Sequence, residues 1–90
     1  MTAWNAFELG VSHYQAQKWE DAARCFEECL QKDPHWGAAY QYLALTYHAQ
    51  GHATQAASVA AKARELDPGN AQLASWVDRL QAAIQEKKAS

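Results

Sequence analysis

Between residues 71 and 87 the apolar positions Leu73, Trp76, Val77, Leu80 and Ile84 recur at i, i+3, i+4, i+7 and i+11, one stripe on a 3.6-residue period. The opposite face holds Gln72, Asp78, Arg79, Gln81, Gln85 and Glu86, so the pattern predicts an amphipathic helix from Ala71 to about Lys87. Asn70 is well placed as its N-cap. Upstream, residues 5–16, 19–32, 37–50 and 53–66 are free of proline and rich in helix formers. Gly51 separates the third segment from the fourth. Pro34 and Pro68 close the second and fourth, because the residue before a proline is pushed out of the helical region. The prediction is five helices, an all-α chain.

The five segments are organised by repetition. Asp33-Pro34 and Asp67-Pro68 lie 34 residues apart, and the same shift carries Leu9 onto Leu43, Gly10 onto Ala44 and Ala22 onto Ala56. Self-similarity at a constant period of this size signals a stacked helical array. Small residues at Gly10, Ala22, Ala44 and Ala56 let two antiparallel helices approach, and Phe26, Tyr40, Leu43 and Tyr47 fill the space between one pair and the next.

These residues carry a family resemblance. The 34-residue period, with Leu9-Gly10, Trp19, Ala22, Phe26, Cys29 and Pro34, and again with Tyr40, Leu43-Ala44, Tyr47, Gly51, Ala56, Ala63 and Pro68, resembles the tetratricopeptide (TPR) repeat. The resemblance implies a right-handed α-solenoid in one domain over residues 1–90. It puts repeat one at 3–36, repeat two at 37–70 and a capping helix at 71–88. Three positions depart from the family pattern: His13 replaces its usual Tyr, Ala60 a large residue, and Arg64 its usual Leu. The last two bear on how the second unit packs.

Charge narrows the function. Eight basic and ten acidic residues give a net charge of −2, with no basic patch to neutralise phosphates, so nucleic acid is not an expected partner. The first ten residues lack the cationic flank and apolar run of a signal peptide. Two cysteines, Cys25 and Cys29, are too few for a disulfide framework, and the expected location is cytoplasmic. Residues 35–61 contain no Asp, Glu, Lys or Arg at all. They are nonetheless no membrane span, which needs about 20 predominantly apolar residues. Gln41, His48, Gln50, Gly51, His52, Thr54 and Gln55 interrupt the run. Membrane insertion is not expected.

The uncharged stretch leaves one helical face to explain. In the helix 37–50, Tyr40, Leu43, Ala44 and Tyr47 form the core stripe. A second stripe about 130° round holds Ala38, Gln41, Leu45, His48 and Ala49, with Tyr42 on its border. The 34-residue shift puts Trp4, Phe7, Val11 and Tyr14 of the first helix on that same stripe. In the family, first helices line a concave groove that binds ligands, the residues after each proline (here His35-Trp36 and Gly69-Asn70) face it, and the last helix adds Gln72, Ser75 and Arg79. The resemblance thus implies a partner site of Trp4, Phe7, Val11, Tyr14, His35, Trp36, Gln41, Tyr42, Leu45, His48, Gln72, Ser75 and Arg79. Glu8 and Arg79 are its expected charges. The family's carboxylate clamp would need Lys, Arg and Asn where Phe7, Val11 and Gln41 stand, so an apolar peptide or amphipathic helix is the expected ligand. The other reading of Trp4, Phe7, Val11 and Tyr14 is an ordinary core stripe. Trp36 occupies a helix start where a capping Asn or Ser would serve better, which points to a partner contact or, alternatively, to staple-like packing on its own helix.

No catalytic, cofactor or metal motif is present. Cys25 and Cys29 stand four apart on one helix with no further cysteine, and His48 and His52 are separated by Gly51. Cys29 matches a small core position, whereas Cys25 is expected on the outer face. The expected function is a non-catalytic adaptor, scaffold or small chaperone. The alternative is a self-associating assembly subunit whose groove, or Ala-rich strip Ala53-Thr54-Ala57-Ala61, is covered by another copy of the chain.

Overall fold

The computed structural model describes the backbone of residues 2–89 and side chains through Gln85, so Glu86 of the predicted polar face lies outside the described side chains. Five helices follow one another: α1 (Ala3–Gln15), α2 (Trp19–Lys32), α3 (Gly37–Ala49), α4 (Ala53–Leu66) and α5 (Ala71–Ala89), with no strand among the described residues. α1 with α2, and α3 with α4, make two helical pairs. α2 packs on α3, α4 on α5, and α1 also touches α3. The architecture is a helical-repeat solenoid, as expected.

Local chemistry explains the boundaries. Thr2 caps α1, its Oγ1 accepting from the Asn5 N–H at 3.1 Å. Asn70 caps α5 in the same way, accepting from the Leu73 N–H at 3.0 Å. α1 and α3 both end in a left-handed residue, Gln17 at φ +62° and Gly51 at φ +83°. After it the chain folds back, Lys18 N–H donating to the His13 carbonyl and His52 N–H to the Tyr47 carbonyl, each at 2.9 Å. This is the Schellman way of satisfying a helix C-terminus. The two turns are 34 residues apart, so the repeat extends to the conformation of single residues.

The core follows the small-and-large logic. Ala22, Ala44 and Ala56 are fully buried, and Gly10 packs directly on the ring of Phe26. In the second unit Ala60 is also fully buried, beside Ala44, Ala56 and Ala63, and the α5 residues Leu73, Val77, Leu80 and Ile84 fill the volume beside them. The family departure at Ala60 is thus matched by aliphatic side chains of the last helix. The departure at Arg64 also serves that junction: its Nη1 donates to Asp78 Oδ1 at 3.1 Å, linking α4 to α5.

One expectation is overturned here. Cys25 is buried, 8% exposed, and not on the outer face. It stands three residues after Ala22 and four before Cys29, and the buried face of α2 is broad enough to include it, taking in Ala22, Ala23, Cys25, Phe26 and Cys29. Burial, with Glu28 and Asp21 nearby, raises its thiol pKa. Burial and Asp33 do the same for Cys29. Both are free thiols of low reactivity.

Candidate functional site

The first helix of each pair carries the face of interest, and aromatic rings join the two. Phe7 of α1 stacks on Trp36 at 5.0 Å between centroids and meets Tyr42 edge-on at 5.7 Å. Tyr14 meets Tyr42 edge-on at 5.5 Å and Trp19 at 5.3 Å. Tyr42 in turn stacks on the buried ring of Phe26 at 5.5 Å. Ring pairs in these geometries add about 0.5–1.5 kcal/mol each beyond area burial. The result is a continuous ladder from the first unit into the second.

This ladder belongs to wall and core together. Phe7, Val11, Tyr14 and Tyr42 are half-buried and pack on the cluster of Ala22, Ala23, Phe26 and Leu43. Trp36 is half-buried against Ala6, Cys29 and Ala39. Each ring keeps part of its surface open while its other side seals the α1–α3 junction. Of the two alternatives the sequence left, the core contacts are present, and the half-burial leaves part of each ring as open surface. Trp36 heads α3 with no side-chain capping bond, and its contacts are with Phe7 and with Trp4, whose ring stacks on it at 5.7 Å. Trp4 itself is 55% exposed, the most open large apolar residue of this face.

Beyond the ladder, the site opens into a cleft. Gln41 and Leu45 of α3 and Gln72 of α5 line a depression of about 260 Å³ together with Asn70, Leu73 and Trp76. Leu45 is half-buried and belongs to none of the core clusters. Asn70 follows the second proline and is expected on this side as well as at the cap, whereas Leu73 and Trp76 are expected from the sequence in the core stripe only. The signal that would have found Trp76 is its spacing, four residues after Gln72 and therefore on the same side of α5. The other expected residues do not line the cleft. His48 is half-buried in the last turn of α3, and Ser75 and Arg79 are exposed on α5. His35 is exposed in the turn, its N–H donating to Asp33 Oδ1 at 3.2 Å.

The opposite side of the array is chemically different. Between α2 and α4 lies a cleft of about 310 Å³ lined by Glu20, Arg24, Glu27, Tyr47, Gln50, His52 and Gln55 with Ala23. Tyr47 donates its hydroxyl to Glu27, and burial together with that carboxylate pushes the phenol up to about 12. Charge is gathered there and withheld from the inner face. Among the 26 residues of α1 and α3, Glu8 is the one Asp, Glu, Lys or Arg.

Among the described residues no group of three or more His, Cys, Asp or Glu is arranged to hold a metal ion. None of the described helices is long and apolar enough to cross a membrane.

Two helical pairs and a terminal helix, with an aromatic, nearly uncharged face on α1 and α3, define the class as a helical-repeat solenoid. Residues 3–36 match the family model of the tetratricopeptide repeat, the interval expected for the first unit. With five helices the chain is consistent with a small TPR-like protein, and protein partners are what such repeats in general bind. No curated protein matches the chain.

Proposed function

We propose that this protein is a non-catalytic adaptor, scaffold or small chaperone of the cytoplasm, taking an apolar peptide or amphipathic helix of a partner against its inner face. The observation that carries this reading is that α3 supplies Gln41 and Leu45 to the cleft with α5 and, next to Gln41 in sequence, Tyr42 to the aromatic ladder with α1. A helix laid in such a groove anchors through side chains at i, i+3 and i+4. Covering about 400 Å² of apolar surface at ~25 cal/mol per Å² yields about 10 kcal/mol gross. Association costs of about 4–15 kcal/mol take most of that, so micromolar affinity is expected.

Leu45 is the residue to test. Tyr42 packs on Phe26, Phe7 and Tyr14, so a charge there would disturb the fold as well as the site. Leu45→Glu should leave thermal stability near that of the wild type and abolish binding of amphipathic leucine-rich peptides, followed by tryptophan fluorescence. Undiminished binding would sink the reading.

Self-association is the alternative. Ala53 and Ala57 of the Ala-rich strip are half-buried against the α4–α5 core, and α5 already occupies that flank, which weighs against a second copy seated there. Light scattering from about 5 to 200 µM separates the two, because dimerisation is concentration-dependent. A mass of 10.0 kDa throughout supports the open groove, and a growing mass supports the alternative.

A further inference from the structure

The inner face is uncharged except at one place, and that place adjoins its most exposed ring. Trp4 lays one side of its indole on Trp36, with 5.7 Å between centroids and 26° between planes. Trp36 is held from another side by Phe7, 5.0 Å away and also nearly parallel. The Trp4 ring is thus backed by Trp36 and Phe7, yet the residue is 55% exposed. Glu8 follows four residues later on the same continuous helix, about 40° round, which makes the two side chains neighbours. Glu8 is exposed, and no cation stands within salt-bridge distance of it among the described residues.

We infer that the open face of Trp4, with the Glu8 carboxylate beside it, is a subsite for a cationic side chain, an arginine or lysine carried by the segment that the groove takes. The inference rests on the interaction reading above and adds the charge of the partner. An indole face attracts a cation through its quadrupole, most strongly of the aromatic rings. A carboxylate at the edge of that face adds Coulombic attraction, and a guanidinium can stack on the ring and donate to the oxygens at once. A neutral side chain gains neither, and an acidic one is repelled. The second unit offers no such place, because the 34-residue shift turns Trp4 into Ala38 and Glu8 into Tyr42. The asymmetry gives the groove a direction, with the basic residue of the ligand at the α1 end.

The test uses three short acetylated and amidated amphipathic peptides of leucine, alanine and glutamine, identical except for one position holding arginine, citrulline or glutamate. They are titrated into the full chain while the indole N–H resonances of its tryptophans are followed. The arginine peptide should bind about three- to tenfold more tightly than the citrulline peptide, with the Trp4 resonance moving most. That advantage should shrink to within about twofold in Glu8→Gln, with an unchanged melting temperature, and in Trp4→Leu, whose lost ring contacts lower the melting temperature but whose helical circular dichroism at the titration temperature should match the wild type as the check on folding. Equal affinity for arginine and citrulline would overturn the cationic subsite and leave the groove reading standing. An arginine advantage that survives both substitutions would put the cation elsewhere and overturn it too. Binding of none of the three peptides would remove the groove reading and this inference with it.

Discussion

The ring of Phe26 occupies the space in which a side chain on Gly10 would begin. A β-carbon on Gly10 would stand 2.7 Å from Phe26 Cε1 and 2.9 Å from Cδ1, well inside contact distance. Phe26 is fully buried and stacks on Tyr42, so its ring has nowhere to retreat. Thirty-four residues on, the pair is Ala44 and Ala60, one larger and one smaller, and both are fully buried. The two units meet the same volume requirement with opposite choices.

Gly10→Ala should therefore destabilise the domain although alanine is the better helix former. Overpacking costs about 1–3 kcal/mol, and the propensity gain returns about 1 kcal/mol of it. The rigid contact puts the cost at the upper end, and a net loss of up to about 2 kcal/mol lowers the melting temperature by roughly 4–8 °C per kcal/mol in a domain of this size. Pairing it with Phe26→Leu should recover part of the loss at Gly10, which a double-mutant cycle reads as coupling. An unchanged melting temperature in the single variant would contradict the contact.

The two left-handed turn residues predict opposite responses to opposite substitutions. Gln17 bears a Cβ at φ +62°, a conformation costing about 1 kcal/mol for a non-glycine residue, whereas Gly51 meets the same demand freely at φ +83°. Gln17→Gly should raise stability by about 0.5–1 kcal/mol, and Gly51→Ala should lower it by about 1 kcal/mol. Denaturant titration of both variants checks the pair. If both lower stability, backbone strain is not what distinguishes the two turns.

Asn70→Ala should cost about 1 kcal/mol by removing the side-chain acceptor of the Leu73 N–H. The loss should concentrate in α5, seen as faster amide exchange at Leu73 and Ala74 while α1 and α2 keep their protection. Uniformly faster exchange across all five helices would show that the cap acts on global stability alone.

Alkaline pH should weaken the domain through Tyr47. Its phenol is raised from 10.0 to about 12 by burial and by the bond to Glu27, so the neutral, hydrogen-bonded form is favoured by folding. That contribution is fully present below pH 10 and is lost as pH rises from about 10 to 12. Phenolate absorbance should show one late step, absent from Tyr47→Phe. The substitution should also flatten the dependence of stability on pH over that window. An alkaline midpoint identical in both proteins would exclude Tyr47 as the cause.

Much of this was legible in the sequence because it rests on local chemistry and on period. The 34-residue spacing, Pro34 and Pro68, and the stripe from Leu73 to Ile84 give all five helices to within two residues at each end. Asn70 as a cap follows from the same reading, whereas the packing of Trp36 on Trp4 and Phe7 of α1 does not. Cys25 was missed because a face assigned by repeat position takes no account of how broad the buried side of α2 becomes. Trp4, Phe7, Val11 and Tyr14 were ambiguous for a physical reason: they are bridging rings with one side in and one side out, and a hydrophobicity pattern has no symbol for that. Trp76 went unrecognised at the cleft because a residue packed on the core can also show an edge to solvent.

The two junctions of the array are unlike in their construction. Rings interlock across α1 and α3, whereas α5 packs mainly on α4 among the described residues and faces α3 across a cleft. In a solenoid whose stability is a sum of neighbour couplings, such inequality sets the order of opening. The domain should unzip from its last helix inward, exposing Leu45 and the aliphatic bed of α4 while the first unit stays closed. The cleft would then be an elastic mouth rather than a rigid slot, and a ligand lodged there would act as a latch on the last helix.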